Sequence, residues 1–96
     1  MNYKYAIDAI TYEFEDKVKP KLNRPCEFEV HFNGRDFNIY GLNPLNKNFV
    51  SVSVEIKQDF SNIKEAFSKF ENEWNNYDFE KNLKNTYIHY ETYGAG

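Results

Sequence analysis

Two helical stripes of apolar residues flank a stretch of alternating ones. Ile63, Ala66, Phe67, Phe70, Trp74 and Tyr77 recur at i, i+3, i+4, i+7, i+11 and i+14. That spacing predicts one helix over 62–77 with a broad aromatic face. Lys64, Glu65, Ser68, Lys69, Glu71, Asn72 and Glu73 fill its polar side. Asn62 is expected to cap it, with Glu65 at the capping-box position. Near the N-terminus, Tyr3, Ile7, Ile10, Phe14 and Val18 mark a first helix over 2–18, with Ala6 beside them. A second ridge of that helix runs Tyr5, Asp8, Tyr12, Glu15. Its plain reading is a solvated face, and its functional reading is a tyrosine-and-carboxylate contact surface.

Between the helices the period changes to two. Phe28, Val30 and Phe32 alternate with Glu27, Glu29 and His31, and Asn33-Gly34 follows. That dipeptide is the preferred centre of a two-residue hairpin turn. A turn there puts Phe32 opposite Arg35, Val30 opposite Phe37 and Phe28 opposite Ile39. The outer face then pairs His31 with Asp36, Glu29 with Asn38 and Glu27 with Tyr40. Cys26 has core parity. Residues 41–48 read as a loop containing Gly, Pro and three Asn. A third strand over 49–56 turns Val50, Val52, Val54 and Ile56 one way and Ser51, Ser53 and Glu55 the other. Residues 57–61 lead into the second helix.

The fold class is therefore α+β: a three-stranded antiparallel meander with two long helices packed on one face, in the order αβββα. A short C-terminal helix or strand completes it. Asp78 is placed to cap a helix over 78–87, whereas 86–93, TYIHYETY, has strand composition, and both readings stand. Residues 1–93 are expected to form one domain and 94–96 a disordered tail. Pro20 and Pro25 bracket a connector, and 17–24 holds four bases and no acid. It reads as a solvated linker whose first lysines favour the helix C-terminus, with a phosphate contact as the alternative.

Composition narrows the function. Ninety-six residues make one core. Eight Tyr and nine Phe exceed what that core needs, so some Tyr must lie outside. No apolar run approaches the ~20 residues of a membrane span. One cysteine excludes an internal disulfide and suits a reducing compartment. The N-terminal acids Asp8, Glu13, Glu15 and Asp16 are unlike a targeting peptide. A cytoplasmic location is expected, the host's if the source is a virus. A formal charge of −3 argues against direct nucleic-acid binding.

Enzyme chemistry is hard to assemble. The chain has no glycine-rich phosphate loop, HExxH, CxxC or nucleophile elbow. Cys26 and His31 have opposite strand parity and cannot converge on a metal without a bulge. Glu27 and Glu29 share a side about 6–7 Å apart, with no cleft around them. We expect no enzyme activity, cofactor or metal. The αβββα order resembles the double-stranded-RNA-binding domain, which meets phosphates with lysines at the start of its last helix. Here that stretch, Ser61 to Glu65, holds one base and one acid.

Charge is most uneven late in the chain. From Phe70 to Glu80 there are Glu71, Glu73, Asp78 and Glu80, with no Lys or Arg. Asn75, Asn76 and Tyr77 sit among them. Acids at a helix C-terminus oppose its dipole by about 0.3–1 kcal/mol. Carboxylates mixed with Asn and Tyr can stand in for a nucleic-acid backbone before an Arg/Lys groove. The plain reading is a solubilising helix end.

The run Ala66-Phe67…Trp74-Asn75-Asn76-Tyr77-Asp78, after a first helix and a meander, resembles small phage-encoded anti-CRISPR proteins. The resemblance spans roughly the last third of the chain plus the element order. It implies a DNA mimic whose carboxylates occupy the Arg-lined pocket that reads the short duplex motif beside the target. The partner it implies is a host nucleic-acid enzyme such as a CRISPR nuclease. The expected contact residues are Glu73, Asn75, Asn76, Tyr77, Asp78 and Glu80, with Glu29, Asp36 and Asn38 of the hairpin as a second patch. The other reading is an interaction or immunity-type protein using exposed Tyr3, Tyr5, Tyr12, Tyr87, Tyr90 and Tyr93, as monomer or homodimer. A single-strand binder would need stacking aromatics on the outer sheet face, where only Tyr40 and Phe49 qualify.

Overall fold

The computed structural model describes residues 3–45 and 52–77. Helix α1 spans Tyr3–Lys17 and a 3-10 turn follows over Lys19–Lys21. Strands β1 (Glu27–Phe32), β2 (Phe37–Leu42) and β3 (Val52–Ile56) lead to helix α2 (Ile63–Asn76). The three strands form one antiparallel sheet in the order β1-β2-β3. The expectations for 46–51 and for 78–96 lie outside the described residues.

Both helices cover one sheet face, as the binary pattern predicts. Ile10, Phe14 and Val18 of the first stripe and Ala66, Phe70 and Trp74 of the second are buried. They meet Phe37, Ile39, Val52, Val54 and Ile56 from the sheet. Phe14 is the hub. Its ring centroid lies 4.3 Å from Phe28 and 4.9 Å from Phe70, the latter edge to face. Such ring pairs add about 0.5–1.5 kcal/mol beyond area burial.

The hairpin register differs from the expected one by two residues. Phe32 faces Phe37, Val30 faces Ile39 and Phe28 faces Gly41. Asn33 is the reason. Its Oδ1 accepts the backbone N–H of Arg35 and of Asp36, both at 2.9 Å, and its own N–H donates to the Asp36 carbonyl. Gly34, with φ 97°, therefore becomes the first of two central residues, a position that favours glycine. A shift of two keeps every side chain on its face. It changes the outer neighbours: His31 faces Asn38, Glu29 faces Tyr40 and Glu27 faces Leu42.

Two further corrections concern the strand ends. Gly41 and Leu42 belong to β2, not to the loop. A side chain at Gly41 would run into the Phe70 ring and stand 3.2 Å from the Cys26 sulfur. Asn62 stands at the N-cap position of α2, as expected, but its side chain makes no capping bond. Its Oδ1 accepts the Lys57 N–H at 2.8 Å and its Nδ2 donates to the Glu55 carbonyl at 3.0 Å. The side chain ties the end of β3 to the turn before α2, which turns its Oδ1 away from the helix, while the Asn62 carbonyl accepts the Ala66 N–H at 2.8 Å.

Candidate protein-binding surfaces

Cys26 is buried, and desolvation pushes its thiol up to about 12, so it stays neutral at physiological pH. His31 lies on the outer face, its Nε2 3.4 Å from Glu29 Oε1 and its ring edge-on to Tyr40. No group of three His, Cys, Asp or Glu among the described residues is placed to hold a metal ion. No described helix is long and apolar enough to cross a membrane.

A cleft of about 660 Å³ lies between the hairpin tip and the turn into α2. Its lining mixes Arg35 and Lys57 with Asp36, Glu55 and Asp59. Asp36 Oδ1 accepts the Gln58 N–H at 3.2 Å, so this carboxylate tethers two turns. Asp59 accepts the Ser61 N–H, which holds its carboxyl below the usual range. These acids serve local turns.

Of the two patches expected from sequence, only Asp36 of the hairpin patch lies near α2, at the end opposite Glu73. Asp36 is beside the start of the helix, through Gln58. Glu73, Asn75, Asn76 and Tyr77 are at its end, about 20 Å away by helix rise. Glu29 and Asn38 lie on the outer sheet face, on neighbouring strands. Asp78 and Glu80 lie outside the described residues.

Asn75 has a structural duty. Its Oδ1 accepts the Asn23 N–H at 2.8 Å and its Nδ2 donates to the Lys21 carbonyl at 3.2 Å. Asn23 Nδ2 returns a bond to the Asn75 carbonyl at 3.1 Å. The connector is thus laced to the C-terminal turn of α2. Asn76 donates to the Asn72 carbonyl one turn back. Tyr77 is half-buried against the core. Glu73 is exposed, and the last turn of α2 contains no base. Asn75→Ala should cost about 1 kcal/mol, because its bonds are exposed to water. Limited trypsinolysis checks the clamp: cutting after Lys21 should accelerate. Unchanged cutting would mean that the connector is held by other contacts.

The more open surface is the ridge on α1. Tyr5 is 75% exposed and Tyr12 69%. Asp8 and Glu15 are exposed on the same line. Neither carboxylate makes an ion pair among the described residues, whereas Glu13, on the flank, holds Lys17 at 2.6 Å. Tyr5 and Tyr12 stand two turns apart, about 10.5 Å. The signal in the sequence is the Tyr at two positions of a polar helix face, but a polar face alone does not separate a contact surface from a solvated one. Compared with known proteins, the chain matches no family model, no curated protein and no solved structure.

Proposed function

We propose that the protein is a non-enzymatic binding protein that docks on a basic groove of a host nucleic-acid enzyme and blocks substrate entry. One observation carries this reading: Asp8 and Glu15, without an ion-pair partner among the described residues, alternate with exposed Tyr5 and Tyr12 along one helix ridge. Carboxylates accept charge-assisted bonds from Arg and Lys, and tyrosine faces accept the stacked guanidinium. Such a ridge offers a basic groove what a nucleic-acid strand offers it, charge and stacking. The resemblance to anti-CRISPR proteins makes an RNA-guided nuclease the first enzyme to test, with phage inhibition as the biological role.

The end of α2 supports a second contact surface. Glu73 is exposed there without a helix-end base to offset it. Asp78 and Glu80 follow in the sequence. Because Asn75 is committed to the connector, the carboxylates and not the asparagines would lead this contact.

Charge reversal separates the surfaces. Capture of host proteins from a lysate at low salt should recover a nucleic-acid enzyme that high salt releases. The pair Asp8→Lys and Glu15→Lys should reduce capture at least tenfold with the thermal midpoint unchanged. If Glu73→Lys, Asp78→Lys and Glu80→Lys reduce it instead, the α2 end is the contact. Capture that resists salt and both reversals, yet falls with Tyr5→Ala and Tyr12→Ala, would sink charge mimicry in favour of an aromatic interface.

A further inference from the structure

Among the described residues the sheet ends at β1, and the direction of its backbone groups can be assigned. The Asn33 N–H to Asp36 carbonyl bond makes that pair a hydrogen-bonded one. Pairs alternate along an antiparallel ladder, so Glu27, Glu29 and His31 exchange bonds with β2. The N–H and C=O groups of Phe28, Val30 and Phe32 consequently point away from the sheet. None of these three makes another backbone bond among the described residues. Edge strands are usually blunted by charged side chains, lysine above all, by proline, by a bulge or by a covering segment. Residues 27–32 contain no lysine or proline, and their pairing with β2 is regular.

We propose that this edge is a docking site for an extended segment of a partner protein in which basic and apolar side chains alternate. The segment adds antiparallel to β1 as a fourth strand. Three outward-facing residues give up to six main-chain bonds. Charge selects the side chains. The outer face of the edge carries Glu27 and Glu29, both exposed, so facing positions take Lys or Arg. The inner face carries Phe28, Val30 and Phe32, all half-buried, so the alternate positions take apolar residues.

A second copy of this chain fits the edge poorly. Tyr3 stacks on Phe32 at 3.8 Å and Phe14 meets Phe28 at 4.3 Å, so α1 lies over β1 itself. Pairing β1 with another β1 would bring two such helices about one strand spacing apart, ~4.8 Å. Packed helices need about 8–10 Å. A bare strand carries no helix and meets no such conflict.

The test uses the full chain and an end-capped heptapeptide of alternating lysine and valine. Amide hydrogen exchange is read residue by residue. The expected result is at least tenfold slower exchange at Phe28, Val30 and Phe32 when peptide is added. Val30→Pro removes only an outward-facing N–H, so the variant should fold and lose the peptide effect. Glu27→Lys with Glu29→Lys should lose the lysine peptide and gain a glutamate–valine one, a readout that does not depend on the proline variant folding. No slowing with peptide overturns the proposal. Slow exchange without peptide also overturns it: at all dilutions it would mean that the chain's own residues fill the edge, and rising with protein concentration it would mean a second copy. This test touches neither α1 nor the end of α2, so its failure leaves the groove-binding reading standing, and the reverse also holds.

Discussion

Trp74→Ala is expected to lower unfolding stability by about 3–5 kcal/mol. Trp74 is fully buried in the last full turns of α2 and its ring stacks on Phe70 at 5.8 Å. Truncation leaves a large void where α2 meets the sheet, close to the residue that laces the connector. A domain of this size has about 5–15 kcal/mol in hand, so the variant should be partly unfolded at 37 °C. Urea denaturation measures the loss through the midpoint at constant slope. A loss below ~1 kcal/mol would mean that α2 does not depend on this ring for its docking.

The second large effect is at Gly41. Gly41→Ala should destabilise by about 1–3 kcal/mol through overpacking, although alanine favours an ordered backbone. The added methyl would meet Phe70 Cζ and stand 3.0 Å from Phe70 Cε2. A double-mutant cycle isolates the cause. In a Phe70→Leu background the same substitution should cost at least ~0.5 kcal/mol less, because the colliding ring edge is gone. Additive costs would show that Gly41 matters for another reason, such as its backbone conformation.

These two positions show what was legible from sequence. Trp74 and Phe70 announce their burial by spacing, because a 3.6 period leaves them no other face. Gly41 carries no periodic signal; read beside Asn43 and Pro44 it belongs to a loop, and only the Phe70 ring on the opposing helix explains a glycine within β2. The hairpin shows the same divide. Alternation specified which residues face the helices, and that survived a register shift of two. The shift depended on which backbone groups the Asn33 side chain accepts, a choice that the dipeptide Asn-Gly leaves open.

The candidate site was less legible, for a related reason. Asn62 and Asn75 both have the chemistry of a cap or a contact, but each spends its amide on a segment distant in sequence or across a turn. Asparagine can satisfy either a neighbour or a partner, and tertiary position decides between them. The α1 ridge was visible as a pattern. Its meaning depended on whether Asp8 and Glu15 find bases nearby, as Glu13 does with Lys17.

We propose that carboxylates on this protein occupy a groove built for nucleic acid. The most direct measurement is elution of the captured partner with heparin, compared with a neutral polysaccharide at the same ionic strength. Release by heparin alone is expected, with no capture by the Asp8→Lys, Glu15→Lys variant. A partner that heparin leaves in place, and that the variant holds as tightly as the parent, would contradict it.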